Sequence, residues 1–400
     1  MLKDYSVESI IGVHGFNTPQ FKGLGGMIKQ RNKDFIVREI PPSGKPIFDG
    51  SEIGKDLGGM FIHCVLWKTG IDTFSAIRKL SSSWKVAEND FGFAGLKDAA
   101  AETYQRISIW NIDKMCINNT NFPNIKVFHP IRQKFAIKIG DLLGNFFEVI
   151  IRNNQQKWNK EEWERFKVYL ESNGVLNFYG SQRFGTKRPI LHIIGKFLLQ
   201  EKYSDAITKY LGETSPLENE RITKLRQEYQ NTHSYEKLRS EFPYSYRIEK
   251  MLLRGLIRYH SAKRIILNLP KSFLKLAISA YQSYLFNKIL SYLNETYFPL
   301  PSDIFIPLPG YRTIQEQSSD EIWDKLVVLL EEDSLDLQSF RHEQLNLRSK
   351  GSLRKAIVFP SEFNYFPMDI QEKGIKVTFS LPKGSYGTIV IREIMKKEIC

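Results

Sequence analysis

The sequence predicts an α+β protein. Three observations carry that expectation: short β patterns bounded by turn residues fill the first third, helical patterns with charged faces run from about residue 190 to 345, and strand patterns return after residue 350. In chain order, Phe35-Ile-Val-Arg-Glu-Ile40 alternates up to Pro41-Pro42, and the apolar run Met60 to Trp67 is stopped by Lys68-Thr-Gly70, so both read as strands. A helix follows from Thr73, with Phe74, Ile77, Leu80 and Trp84 on one face and the Thr73 side chain as its cap. Phe91 to Ala94, the turn Gly95-Leu-Lys-Asp98 and Tyr104 to Ile109 read as strand, turn and strand.

Lys134 to Arg152 reads as two strands around Gly140 to Asn145. Asn159 and Glu162 form a capping box for a helix that presents Trp163, Phe166 and Leu170 and stops at Gly174. Asn177-Phe-Tyr-Gly-Ser-Gln-Arg-Phe-Gly185 is too rich in Gly and polar groups for a helix and too dense in aromatics for an ordinary solvated loop. Ser272 to Asn294 carries a helical stripe of Leu274, Ile278, Tyr281, Leu285, Ile289 and Leu293, and Pro299, Pro301, Pro307 and Pro309 then interrupt the block. Near the end, Ile375, Val377, Phe379 and Leu381 alternate before Pro382, and Thr388 to Ile394 reads as a second strand. If that hairpin completes the N-terminal sheet, the middle block is an insertion.

A chain of 400 residues with 42% apolar composition has enough material for two or three domains with real cores, which excludes wholesale disorder. The 57 Lys and Arg against 44 Asp and Glu leave a charge of +13, a field that attracts polyanions such as nucleic acid or an anionic membrane. No apolar stretch approaches the roughly 18 residues of a membrane span, and the first residues are charged where a signal peptide needs an apolar block. Cys64, Cys116 and Cys400 are odd in number and far apart, which fits a reducing cytoplasm without structural disulfides.

Nucleotide-cradling motifs fail on spacing. Gly50-Ser-Glu-Ile-Gly54-Lys55 is one residue short of a phosphate loop and lacks its Ser or Thr, and Gly23-Leu-Gly25-Gly26 lacks the third glycine of a dinucleotide fingerprint. The histidines show neither pairing nor a Cys partner at ligand spacing, so no metal and no nucleotide cofactor is expected. What remains is Asp98, in a glycine turn after Lys97. Taken alone, such a turn is an ordinary surface feature. In a site, the glycine lets the backbone approach a ligand, and a nearby cation keeps a carboxylate ionised as nucleophile or base.

The stretch Gly92-Phe-Ala-Gly-Leu-Lys-Asp-Ala-Ala-Ala-Glu-Thr-Tyr-Gln105 resembles the catalytic motif of the TruD family of pseudouridine synthases. Further matches occur in family order: Gly26 to Lys29 with Asp34 to Glu39, Gly144-Asn145-Phe146 with one altered spacing, Asn177 to Gly185, and Phe379 to Thr388 with Arg392-Glu393. Ala280-Tyr-Gln-Ser-Tyr-Leu-Phe-Asn287 is similar to a helix of archaeal and eukaryotic members. The chain departs from the pattern at Ala99 and Ala100, where many relatives carry a basic residue, and at Phe178-Tyr179, where the aromatic order is swapped.

The resemblance implies a pseudouridine synthase catalytic domain with a mixed, mainly antiparallel sheet, built from residues 1–200 and 350–400, and an inserted α+β domain at 200–350. It implies isomerisation of uridine in tRNA, principally at position 13, without a cofactor. Asp98 is then the essential carboxylate, acting at C1′, at C6 or on the C2′ proton, with Lys29 either its counter-ion or a solvated loop lysine. Lys97 points either to the site or to phosphate. Phe35 and Tyr179 are the aromatics expected to stack an extruded base, against ordinary core packing, and Asn177 bonds the uracil edge or holds a loop. Arg183 is an RNA contact or a structural cation. Arg258, Lys263 and Arg264 are candidate phosphate contacts on what is otherwise a plain amphipathic helical segment. The alternative class is a catalytically inactive RNA-binding or RNA-chaperone protein of the same fold, which needs none of Asp98, Lys29 and Asn177. An RNA methyltransferase needs a cofactor pocket that the failed glycine motifs argue against.

Overall fold

A computed structural model describes residues 6–48, 53–118, 120, 122–154, 156–368 and 374–398. Part of the Gly50 to Lys55 stretch, the first five residues and Cys400 lie outside the described residues. The chain forms two compact units, one of Gln20–Val175 with Val358–Lys397, the other of Met1–Pro19, Leu176–Ile357 and Glu398–Cys400.

The first, a sheet unit, holds β1 (Phe35–Ile40), β2 (Phe61–Thr69), α1 (Thr73–Trp84), β3 (Phe91–Phe93), β4 (Glu102–Trp110), β5 (Ile125–Gln133), β6 (Gly144–Arg152), α2 (Lys160–Asn173), β7 (Ser361–Pro367) and β8 (Gly374–Pro382). Among the described residues these strands make one eight-stranded sheet in the order β7-β8-β6-β1-β4-β2-β5, with β3 also on β4. The β1–β4 pair is parallel and the other pairs are antiparallel. Strand alternation sends Ile62, Cys64 and Leu66 to a core face where Ile77, Leu80 and Trp84 of α1 cover them. The capping box of α2 forms as the sequence predicts, with Glu162 N donating to Asn159 Oδ1 at 2.8 Å and Asn159 N to Glu162 Oε2 at 2.9 Å.

Four expectations are corrected here. The cap of α1 is Asp72, whose carboxylate accepts from Ser75 N at 3.0 Å, which releases the Thr73 hydroxyl for other work. Phe74 is 53% exposed, and its place on the buried face is taken by Ala76. The strand before β6 ends at Gln133 and pairs with β2, so Lys134 to Ile139 is not a strand. Thr388 to Ile394 is helical, within Gly387–Met395, and the terminal hairpin is β7–β8. That helix is short and buried around most of its circumference, and its β-branched run Ile389-Val390-Ile391 is the local pattern of a core strand.

The second, a helical unit, holds α3 (Leu191–Leu199), α4 (Tyr203–Gly212), α5 (Glu220–Asn231), α6 (Tyr235–Glu241), α7 (Arg247–Arg258), α8 (Ala262–Leu267), α9 (Lys271–Thr296) and α10 (Asp320–Glu332), with a short ladder of Phe305–Leu308 on Ser352–Lys355. Its packing boundaries fall after Val175 and Ile357 rather than near 200 and 350, and residues before Gln20 join it. The physical reason lies on α9. A Cβ at Gly195 of α3 would come within 2.1 Å of the Ala277 carbonyl oxygen, so only glycine allows this crossing. Asn287, fully buried on α9, donates to Ile11 O at 2.9 Å and to Tyr179 O at 3.0 Å, tying both flanking segments to the helix. No helix among the described residues is long and apolar enough to cross a membrane.

Candidate active site

Parallel pairing of β1 with β4, with Ile36 opposite Glu102, brings the segments that lead into these two strands to the same end of the sheet. Lys29 precedes β1 and Asp98 precedes β4. Lys29 Nζ lies 3.2 Å from Asp98 Oδ2, the two side chains being 17% and 29% exposed, and 4.4 Å from the centroid of the Phe35 ring. The lysine backbone is left-handed, at φ 57°. Two contacts hold that conformation. Met27 and Arg152 exchange main-chain hydrogen bonds at 2.9 and 2.8 Å, and the Arg152 guanidinium grips Asp34 through Nε–Oδ2 at 2.9 Å and Nη2–Oδ1 at 2.7 Å. Burial pushes the Asp34 carboxyl up, but the Arg152 bond, the Arg31 N–H and the two guanidinium charges outweigh it and hold it below the usual carboxylate range.

The loop that carries Asp98 rests on buried polar groups. Lys68 Nζ donates to the carbonyl oxygens of Asp98 at 2.7 Å, Ile71 at 2.8 Å and Lys97 at 3.2 Å, which uses all three of its donors. Burial pushes this ammonium down to about 8, against the opposing pull of Asp98 and Asp72. The Thr73 hydroxyl accepts from Lys97 N at 3.0 Å and bonds Gln105 Oε1 at 3.1 Å, while Gln105 Nε2 donates to Gly95 O at 3.2 Å. The turn is thereby fixed at Gly95, Lys97 and Asp98. An ionised carboxylate held this way and left partly open can attack, or take a proton from, a nucleoside brought to it.

Two of the predicted residues take other parts than expected. Lys97 faces the interior rather than solvent: it is 8% exposed and its Nζ lies 3.9 Å from Glu39 Oε2, in a cluster where Arg106 Nε also donates to Glu39 Oε1 at 2.8 Å. Burial pushes the Lys97 ammonium down, with Glu39 and Asp98 pulling the other way. Phe35 offers no open face, being 1% exposed beneath Lys29 with its ring edge-on to Phe147 at 6.2 Å. Its place on the core face of β1 follows from the alternation Phe35, Val37, Glu39.

Asn177, Tyr179 and Arg183 come together in the helical unit. Asn177 holds a loop: its Nδ2 donates to Lys355 O at 3.0 Å, and Arg354 Nη2 donates to its Oδ1 at 2.6 Å. The Tyr179 ring is 9% exposed, edge-on to Phe286, with the Arg354 guanidinium 4.0 Å from its centroid. Arg183 is half-buried, donates to Ser283 Oγ at 3.1 Å and lies 5.7 Å from the Tyr179 ring, contacts that tie it to this loop. Arg258, Lys263 and Arg264 are exposed at the end of α7 and on α8, with the Arg264 guanidinium 4.6 Å from the Tyr259 ring.

Lys68, Glu39 and Arg354 were missed at the level of sequence. For the first two a signal existed, because period-two alternation puts Lys68 on the face of Ile62, Cys64 and Leu66 and Glu39 on the face of Phe35 and Val37. Arg354 is brought to Tyr179 by tertiary packing, which no local pattern records.

Comparison with known proteins adds the lineage. The family model described as tRNA pseudouridine synthase D (TruD) matches residues 11–305 and 302–394. The chain is 30% identical over 392 residues to a probable tRNA pseudouridine synthase D of Methanococcus aeolicus, covering 94% of this chain and 96% of the relative. It is 32% identical over 394 residues to that of Methanococcus vannielii, covering 92% and 95%. The crystal structure of the putative tRNA pseudouridine synthase D of Methanosarcina mazei superposes with a TM-score of 0.74 at 27% identity, over 99% of each chain. With a family match across nearly its whole length, the chain belongs to the TruD family.

Proposed function

We propose that this protein isomerises uridine to pseudouridine in tRNA, with position 13 as the principal target. The bond from uracil N1 to ribose C1′ breaks, the base turns, C5 bonds to C1′, the C5 proton leaves to solvent, and N1 takes up a proton in its place. Atoms and electrons balance without a co-reactant. The observation that carries this reading is the Lys29–Asp98 pair at 3.2 Å, an accessible carboxylate with a fixed cation on a loop braced from beneath by Lys68. Asp98 is the catalytic carboxylate and Lys29 its charge partner. Lys68, Thr73 and Gln105 are positioning residues.

The target uridine has to leave its stack to meet Asp98, and the RNA backbone supplies phosphates to the exposed cations of the helical unit, Arg258, Lys263 and Arg264 among them. The sheet unit is read as the catalytic domain and the helical unit as the RNA-binding one. The three widely spaced cysteines, with Cys64 buried and free, fit action on tRNA in the reducing cytoplasm.

Single-turnover release of tritium from tRNA labelled at uridine C5 tests the proposal, with pseudouridine-specific derivatisation and sequencing to locate the product. Release without added cofactor is expected. Asp98→Asn should slow it at least about a thousandfold with tRNA affinity little changed, since the amide is neither nucleophile nor base. Tight tRNA binding by the wild type without release would instead make the chain an inactive RNA binder.

A further inference from the structure

The helical unit contains a cavity of about 430 Å³ between the loop after the Asn177 to Gly185 stretch and helices α4, α5 and α7. That volume falls in the range of roughly 300–1,000 Å³ of small-molecule sites. Its lining is unusual for a surface cleft, because the polar groups on its floor are deeply buried: Arg188 is 8% exposed, Glu249 4% and Arg226 1%.

Most of the floor is satisfied internally. Arg226 pairs with Glu218 at 2.8 and 2.9 Å and with Glu249 Oε1 at 3.0 Å, and it donates to the Tyr210 and Leu211 carbonyl oxygens. Arg188 donates to the carbonyl oxygens of Tyr210 at 2.6 Å and Glu213 at 3.1 Å and reaches Glu249 Oε1 at 3.5 Å. Two groups are left over. Arg188 Nε is 3.9 Å from Glu218 Oε1, beyond hydrogen-bond reach, and both guanidinium contacts to Glu249 fall on Oε1, so among the described residues Oε2 takes no hydrogen bond. Neither atom is sealed from solvent, so on residues that line the cavity they offer a donor and an acceptor that a ligand can engage in place of water.

The walls and rim narrow its chemistry. Tyr210 and Tyr246 line the cavity, the Arg188 guanidinium stacking 4.9 Å from the Tyr210 centroid. Gly185, at φ 111°, turns the chain so that Arg188 N bonds Gly185 O at 3.2 Å, and a Cβ there would meet the Arg188 carbonyl oxygen at 2.5 Å. This turn puts Arg188 inward and leaves Thr186 and Lys187 exposed at the mouth, where Arg247 adds a second exposed cation. An aromatic wall, a donor–acceptor floor and a cationic rim match a base, its edge and its phosphate.

We propose that this cavity receives a second, splayed-out nucleotide of the RNA substrate, distinct from the reacting uridine and bearing an exocyclic amine. Uracil is disfavoured because, with its one N–H on Glu249 Oε2 and one flanking carbonyl on Arg188 Nε, the second carbonyl oxygen falls against the Glu249 carboxylate. Cytosine, adenine and guanine each offer an amine to Glu249 Oε2 beside an acceptor for Arg188 Nε. The proposal rests on the reading that the substrate is RNA.

Calorimetric titration of the full-length protein with 5′-AMP, 5′-CMP, 5′-GMP, 5′-UMP and inorganic phosphate tests it. At least one amine-bearing nucleotide is expected to bind at least about tenfold more tightly than UMP or phosphate, and Ser245→Trp or Thr186→Trp, exposed positions at the mouth, should abolish that binding. Both variants should also weaken tRNA affinity about tenfold, in line with roughly 1–3 kcal/mol for one stacked base. Equal binding of phosphate or UMP, or full nucleotide binding by both variants, would overturn the proposal. Tritium release read in parallel keeps the two ideas apart: release without nucleotide binding sinks the pocket alone, and amine-selective binding by an inactive chain supports the pocket while sinking the isomerase.

Discussion

The ammonium of Lys68 sits 2.7 Å from the main-chain oxygen of Asp98, so one buried cation holds the backbone of the loop that carries Asp98 rather than its carboxylate. Because burial lowers its pKa to about 8, it loses a proton, and with it one of three donors, as pH rises through that value.

Turnover is therefore expected to fall on the alkaline side with a midpoint near 8. Stability should move the opposite way. The folded value lies below the ordinary lysine value of about 10.4, so the unfolded chain binds more protons between the two, and folding stability rises with pH across that window. Single-turnover rates and melting temperatures measured across this range on the wild type and Lys68→Met check both signs. The variant should be slow throughout and lack the alkaline limb; a variant that keeps the limb would assign it to another group.

Lys97 gives a second contrast. Its burial against Glu39 predicts that Lys97→Met leaves the salt dependence of tRNA binding unchanged, because no phosphate contact is lost. Melting temperature should drop instead, as Glu39 keeps Arg106 but loses its second cation. A flatter salt slope with unchanged melting temperature would return Lys97 to the RNA-binding surface.

These two lysines mark what the sequence makes legible. The β1 strand, the Asn159 capping box and the compact Asn177 to Gly185 loop follow from patterns a few residues long, and the structure contains each of them. The burial of Lys97 is not legible because its chain neighbour is Asp98, while its surroundings are set by Glu39, which reaches it through the β1–β4 pairing. The helix Gly387–Met395 reads as a strand because it is short and its Ile389-Val390-Ile391 run is β-branched, a signal that tertiary packing overrides. Arg354 over Tyr179 depends on a fold in which residues far apart in sequence meet.

Asp34 and Arg152 anchor the loop that bends Lys29 toward Asp98. Asp34→Ala leaves a buried guanidinium uncompensated and should lower stability by roughly 3–5 kcal/mol. With the carboxyl held below its usual range in the folded state, the pair stabilises fully above the ordinary value of about 4 and loses that contribution as pH falls through and below it. Chemical denaturation at neutral and acidic pH checks this: the gap between wild type and variant should narrow in acid. A gap that stays constant would remove Asp34 ionisation from the account.

Arg258, Lys263 and Arg264 supply the last expectation. All three are exposed on neighbouring helices of the helical unit, where a polyanion can reach them without displacing an internal partner carboxylate. Each phosphate neutralised by such a cation contributes about 0.7–0.9 to the slope of log affinity against log salt. Replacing all three by alanine should therefore flatten that slope by about two to three and weaken tRNA binding most at low salt. The single-turnover rate at saturating tRNA should stay unchanged, since the substitutions lie outside the Lys29–Asp98 cluster. Filter binding across a salt series, paired with tritium release at saturation, reads both quantities. An unchanged slope would make this surface the polar face of an amphipathic helix and nothing more. A lowered saturating rate with the slope intact would mean that the substitutions disturb the fold rather than the electrostatic grip, and melting temperature would then fall with it.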